Sequence, residues 1–138
     1  MCDADSGEYA VTENGLIKSI GQVHISVTDI DQAVRFYRDT LGMQFLFQVP
    51  GQPMAFFQCG EVRLYLGVPE SEEFRSKSVH YYRVDSIDAA YSELGNRGVE
   101  FRGEPHMVHD DGTTQLWLAF FNDPDGNHLA LMEERNSA

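Results

Sequence analysis

Val27-Thr28-Asp29-Ile30-Asp31-Gln32-Ala33 and Val84-Asp85-Ser86-Ile87-Asp88-Ala89-Ala90 are two versions of one pattern. Each runs from an apolar strand end, through a residue able to cap a helix, into apolar positions at helical spacing. The match continues outward. Leu41-Gly42-Met43-Gln44-Phe45 corresponds to Arg97-Gly98-Val99-Glu100-Phe101, and Ala55-Phe56-Phe57 to Ala119-Phe120-Phe121. Three separated blocks recur in order, the first two with a period of about 56 residues (Ile30 to Ile87 and Gly42 to Gly98), which makes the chain an internal repeat.

Each copy reads as βαβββ. The first strands are Gln22 to Val27 and Val79 to Val84. In the first helix Asp29 caps, and Ile30, Ala33, Val34, Tyr37 and Leu41 form the apolar stripe before Gly42. In the second, Ser86 caps a stripe of Ile87, Ala90, Tyr91 and Leu94, with Gly98 just beyond. Three extended segments close each copy: Met43 to Val49, Pro53 to Gln58 and Glu61 to Gly67, then Val99 to Val108, Thr114 to Phe121 and His128 to Glu133. The turn sequences Gln58-Cys59-Gly60 and Asp123-Pro124-Asp125-Gly126 separate the last two strands of each. The reading is thus a single domain over 19–135, with module one at 19–68, a polar linker at 69–77 and module two at 78–135. Residues 1–18 form a polar, acidic tail expected to be flexible, and 136–138 a short end.

The chain of 138 residues is long enough for one real core, and its hydrophobic (42%) and charged (23%) fractions are those of a globular protein. No apolar run reaches the ~20 residues that span a bilayer. The net charge of −12 repels phosphates and anionic lipids, so nucleic acid and membrane are not expected partners. Cys2 and Cys59 read as free thiols in a reducing cytoplasm.

Strand alternation separates the two faces of each sheet. Val23, Ile25 and Val27, then Val62, Leu64 and Leu66, then Leu129 and Leu131 belong under the helices. The opposite face carries Gln22, His24, Arg63, Tyr65, Tyr81, Arg83 and His128. A face that merely meets water favours Lys, Glu and Thr. This mixture of imidazole, phenol, guanidinium and amide suits a pocket that orients a small molecule. One of Phe56 and Phe57 should reach that face, and Trp117 is a candidate stacking surface.

The repeat, together with Asp29-Ile30-Asp31-Gln32-Ala33-Val34-Arg35-Phe36-Tyr37-Arg38-Asp39-Thr40-Leu41-Gly42 and Asp123-Pro124-Asp125-Gly126, resembles the vicinal oxygen chelate superfamily. That superfamily includes glyoxalase I, extradiol dioxygenases, methylmalonyl-CoA epimerase, and the bleomycin and fosfomycin resistance proteins. The resemblance implies an α+β fold of two βαβββ modules, a curled, cup-shaped mixed sheet with helices on the outer face, usually within a homodimer. It further implies a metal held by four strand positions, which fall here on Gln22, Tyr65, Val79 and Ala130. Val and Ala offer no ligand atom and Tyr is an uncommon one, so the expected metal set is none. The arginine that contacts glutathione in glyoxalase I is replaced by Ser26, while Arg83 and Arg63 offer other anion handles or pair with carboxylates.

The leading expectation is a dimeric, cofactor-free binding protein holding a small, partly aromatic or cationic ligand through Gln22, His24, Arg63, Tyr65, Tyr81, Arg83, Trp117 and His128. The alternative is a lyase, isomerase, epimerase or dioxygenase with a divalent metal at a shifted site of His24, His128 and Gln22. His24 and His128 are also the candidates for metal-free acid–base catalysis. A second cluster, His106 and His109 with Asp110 and Asp111, reads as a solvent loop.

Overall fold

The computed structural model describes residues 16, 17, 19–76 and 78–137. The tail assigned to 1–18, and Cys2 with it, lies almost wholly outside the described residues. The elements are β1 (Gln22–Ser26), α1 (Ile30–Val34), β2 (Gln44–Gln48), β3 (Met54–Cys59), β4 (Val62–Gly67), β5 (His80–Arg83), α2 (Ile87–Asn96), β6 (His106–Asp110), β7 (Thr114–Asn122) and β8 (His128–Asn136). α1 continues over Arg35–Thr40 with wider π-type hydrogen bonding. A single 3₁₀ turn, Glu72–Phe74, lies in the linker.

Both modules carry the same topology. One sheet orders its strands β1-β4-β3-β2 and the other β5-β8-β7-β6. β1 pairs with β4, and β5 with β8, in parallel; the remaining pairs are antiparallel. The local signals behave as their chemistry dictates. The Asp29 carboxylate accepts the Gln32 N–H at 3.1 Å, and the Ser86 hydroxyl accepts the Ala89 N–H at 3.2 Å. Gly42 takes φ 74° where the first helix stops, a left-handed turn that a side chain resists.

Two strands differ from expectation. The segment Val99 to Val108 is broken: Phe101 makes an isolated bridge to Phe121, and β6 begins only at His106. Gly103-Glu104-Pro105 lies between them, and proline has no N–H to give a ladder. β8 runs on past Glu133 to Asn136 because Thr114 to Leu116 of β7 continue to pair with it.

The helix-side faces of both modules merge into one core. Ile25, Val27, Tyr37, Phe57, Leu64 and Leu66 of module one are packed in a single cluster with Ile87, Ala119, Phe121, Leu129 and Leu131 of module two. The fold is thus α+β, two mixed four-stranded sheets whose helix-packed residues share one core. The seam carries one polar knot. Tyr37, fully buried in α1's extension, donates its hydroxyl to the Asp123 carboxylate at 2.8 Å. The same carboxylate accepts the N–H groups of Asp125 and Asn127 at 2.9 and 2.8 Å and the Asn127 side-chain amide at 2.8 Å. Burial and the Asp123 charge push the Tyr37 hydroxyl pKa well up, so it stays a donor.

Losing the knot should be costly, because the Tyr37 hydroxyl is fully buried and the other donors are partly buried around the same carboxylate. Tyr37→Phe is expected to lower stability by about 1–3 kcal/mol, and Asp123→Ala by about 3–5 kcal/mol since several donors are orphaned together. Urea unfolding at unchanged m-value measures both; an Asp123→Ala loss below about 0.5 kcal/mol would refute the assignment.

Candidate ligand-binding site

The open face of the first sheet is built around Tyr65. β1 and β4 lie in register, with Gln22 beside Arg63 and His24 beside Tyr65, so alternate side chains on the two strands form adjacent rows. The Tyr65 ring stacks on Phe56 of β3 at 5.1 Å, and Phe56 on Phe47 of β2 at 4.8 Å. His24 meets the other side of Tyr65 at 4.7 Å. The result is an aromatic row crossing all four strands. Arg63 lies 5.9 Å over the Phe56 ring. Of the two β3 phenylalanines, Phe56 reaches this face and Phe57 is fully buried in the core.

Gly67 explains the pose of Tyr65. A methyl group at Gly67 would lie 2.6 Å from the Tyr65 hydroxyl oxygen, closer than such atoms tolerate. The absent side chain lets the phenol lie down along β4.

His24 is fixed by two partners. Its Nδ1 is 3.2 Å from the Tyr65 carbonyl oxygen, which can only accept, so Nδ1 carries the proton. Nε2 then accepts from the Ser26 hydroxyl at 3.0 Å. Ser26 is itself buried, and it exchanges two hydrogen bonds with the linker: its N–H donates to the Ser76 hydroxyl at 3.0 Å, and the Ser76 N–H donates to its hydroxyl at 2.9 Å. Burial lowers the His24 pKa, opposed by the hydrogen bond to Tyr65.

This strap closes a pocket of about 820 Å³. Gln22, His24, Met54 and Tyr65 line it from the sheet, and Glu70, Glu73 and Phe74 from the linker. Among the described residues, no lysine or arginine lines it. The linker residues escaped the sequence reading because nothing in a polar connector says which way it folds back.

The second open face does not join this pocket. Tyr81, Ala130 and Phe120 share a row there, with Tyr81 edge-on to Phe120 at 6.1 Å. Arg83 is taken by Glu134 at 2.8 Å, so the ion-pair reading holds for it. His128 Nδ1 has the Arg102 guanidinium and the Asn122 amide each at 3.4 Å. Among the described residues, the depression on this face is lined by module two alone and the large pocket by module one and the linker.

Trp117 requires a correction. It shares strand parity with Ala119 and Phe121, packs against the core and lies under the Arg135 guanidinium at 4.3 Å. It therefore sits on the helix side, away from the open face. β7 is apolar on both faces (Leu116, Leu118 and Phe120 against Trp117, Ala119 and Phe121), so alternation could not assign it.

The donors do not fit the superfamily's metal. Of its four positions, Ala130 is fully buried and Val79 is partly exposed, and neither carries a ligand atom. The shifted alternative is not assembled either, since Gln22 and His24 line one pocket while His128 contacts Arg102 and Asn122 on the other sheet. Asp110 and Asp111 spend their carboxylates on the N–H groups of Gly112, Thr113 and Thr114. Among the described residues no three His, Cys, Asp or Glu side chains converge on a common point.

The His24 geometry has a pH consequence. A folded pKa below the ordinary 6.5 means that stability is fully present above pH 6.5 and is lost as pH falls through the folded value. His80 shifts the same way by burial. His24→Gln is therefore expected to shrink, but not abolish, the stability loss as pH falls below 6.5, since His80 still contributes to it. Ring NMR should show a His24 midpoint below 6.5 and an acceptor-type Nε2; a midpoint above 6.5 would refute the burial-driven shift, and a protonated Nε2 in the neutral ring would refute the tautomer.

Comparison with known proteins agrees with this architecture. A family model for the Glyoxalase/Bleomycin resistance protein/Dioxygenase superfamily matches residues 19–131. The uncharacterized protein YraH of Bacillus subtilis (strain 168) is 28% identical over 123 residues, covering 80% of this chain and 94% of that protein. A crystal structure of a superfamily member from Sphaerobacter thermophilus DSM 20745 superposes with a TM-score of 0.71 at 28% identity, covering 86% of this chain and 98% of that one. TnmS3, an antibiotic binding protein from Streptomyces sp. CB03234, superposes with a TM-score of 0.67 at 26% identity, over 86% and 97% of the two chains. With two βαβββ modules, one shared core and a family match over most of its length, this chain belongs to the Glyoxalase/Bleomycin resistance protein/Dioxygenase superfamily.

Proposed function

We propose that the protein binds a small organic cation with an aromatic or other flat apolar body, in the pocket between the first open face and the linker. The observation that carries this reading is the pocket's charge and shape. Its volume is about 820 Å³, its floor is the Tyr65 ring, and among the described residues its rim holds Glu70 and Glu73 and no lysine or arginine. An aromatic face attracts a cation that also sits near carboxylates. His24 adds no positive charge while both of its ring nitrogens are engaged as described. The net charge of −12 raises the local concentration of a cationic ligand further. TnmS3, of similar fold, is an antibiotic binding protein, which makes capture of a small molecule a precedent within the superfamily. A reducing cytoplasm and a homodimer complete the proposal. Phe47 is about half exposed at the outer edge of the first sheet, and a second copy would cover such a ring.

The test uses phenyltrimethylammonium as probe, with calorimetry at low salt. Saturable binding should weaken at least ten-fold, about 1.4 kcal/mol, in Tyr65→Ala. The Glu70→Gln, Glu73→Gln double variant should weaken it and flatten its salt dependence. Gly67→Ala should also weaken binding, by displacing Tyr65 rather than by unfolding the chain. Equal affinity in wild type and Tyr65→Ala would refute the site.

A further inference from the structure

We infer that the open face of module two carries a separate site for an aryl carboxylate, centred on Arg102. The Arg102 backbone N–H donates to the Phe120 carbonyl at 2.8 Å, which fixes the root of this side chain at the edge of β7. Its guanidinium reaches within 3.4 Å of His128 Nδ1. With Gly103, His106 and Phe120 it lines a depression of about 230 Å³. The floor is aromatic. Phe120 has the Tyr81 edge at 6.1 Å and the tilted His106 ring at 6.4 Å.

Arg38, Arg75, Arg83, Arg97 and Arg135 each pair with an Asp or Glu. Among the described residues Arg35, Arg63 and Arg102 have no carboxylate within ion-pair distance, and of these Arg102 lines the depression beside Phe120, in a chain that carries 22 acidic residues against 10 basic ones. Glu100 and Glu104, the two nearest acids in sequence, form no ion pair with it, and Glu104 turns its backbone carbonyl to His106 Nδ1 at 3.2 Å. A guanidinium left unpaired over an aromatic floor presents a planar fork, which matches a carboxylate in two parallel hydrogen bonds. His128 adds a donor. With Arg102 and Asn122 N–H groups directed at Nδ1, that nitrogen accepts and Nε2 carries the proton. One guanidinium and one neutral N–H suit a singly charged, flat anion better than a phosphate dianion, and the rings of Phe120 and Tyr81 take its aromatic body.

This site is independent of the cation pocket, which prefers the opposite charge and lies on the other sheet. The test is an NMR titration of the full chain with sodium benzoate, alongside neutral benzamide and inorganic phosphate. Benzoate is expected to shift Arg102, Phe120 and His128 signals saturably, and to bind at least about ten-fold more tightly than benzamide. Arg102→Gln should cost about ten-fold or more in benzoate affinity, and Arg102→Lys should recover only part, since an ammonium lacks the fork. Both variants should keep the wild-type Tm, because Arg102 is exposed. Arg102→Gln should leave phenyltrimethylammonium binding unchanged, and Tyr65→Ala should leave benzoate binding unchanged, so the two sites fail separately. Benzoate and benzamide binding alike, phosphate binding more tightly than benzoate, Arg102→Gln within two-fold of wild type, or benzoate shifts confined to Gln22, His24 and Tyr65 would each overturn the proposal.

Discussion

The Asp123 carboxylate is the constraint on which the arrangement of the two modules depends. It is 5% exposed and accepts from Tyr37, Asp125 and Asn127, so its charge is dispersed over hydrogen bonds rather than balanced by a cation. The β7–β8 turn is thereby held in shape and tied to the first helix. Asn127 extends the tie to β1 by donating its amide to the Ser26 carbonyl at 2.9 Å, and the Asp125 carboxylate accepts the Thr28 N–H at 2.9 Å. The hairpin of one module is thus docked on the strand end and helix start of the other. That docking sets the helix sides face to face, and their apolar burial then supplies the bulk of the stabilisation.

With the helix sides largely spent on one core, the open faces carry the aromatic rows and the histidines His24 and His128, and the two copies have diverged there. The first has an aromatic row, a neutral imidazole and an acidic strap. The second has an engaged Arg83, a free-standing Arg102 and a shorter aromatic pair. The repeat preserved what the fold needs, namely caps, stops and core parity. It did not preserve what a ligand would touch. A duplicated module is well suited to this, since the core residues that fix the strands point away from those that vary.

Much of this was legible in the sequence, for reasons that differ by element. The repeat exposed the topology, and Asp29, Ser86 and Gly42 marked helix ends because cap chemistry is local. Gln22, His24 and Tyr65 could be placed on one face because β1 and β4 alternate cleanly. Trp117 could not, because β7 is apolar on both sides. The contribution of Glu70, Glu73 and Phe74 depends on where a connector folds back, and that is decided by the Ser26–Ser76 exchange across 50 residues. Arg102 was hidden for a related reason. Its role follows from the lack of a carboxylate partner together with its place beside Phe120, and a sequence with many acids gives no sign of which arginines stay unpaired.

The strap also explains why the first pocket would favour cations despite containing a histidine. An imidazole beside two rim carboxylates would ordinarily be drawn toward its charged form. Here the Tyr65 carbonyl holds the Nδ1 proton and the Ser26 hydroxyl fills the Nε2 lone pair, while Ser26 is itself held by the Ser76 N–H. Charging His24 would set Nε2–H against a hydroxyl that must then turn its own proton elsewhere, in a spot 4% exposed to water. Burial works in the same direction, so the histidine serves as a neutral wall and the net charge of the pocket is left to Glu70 and Glu73.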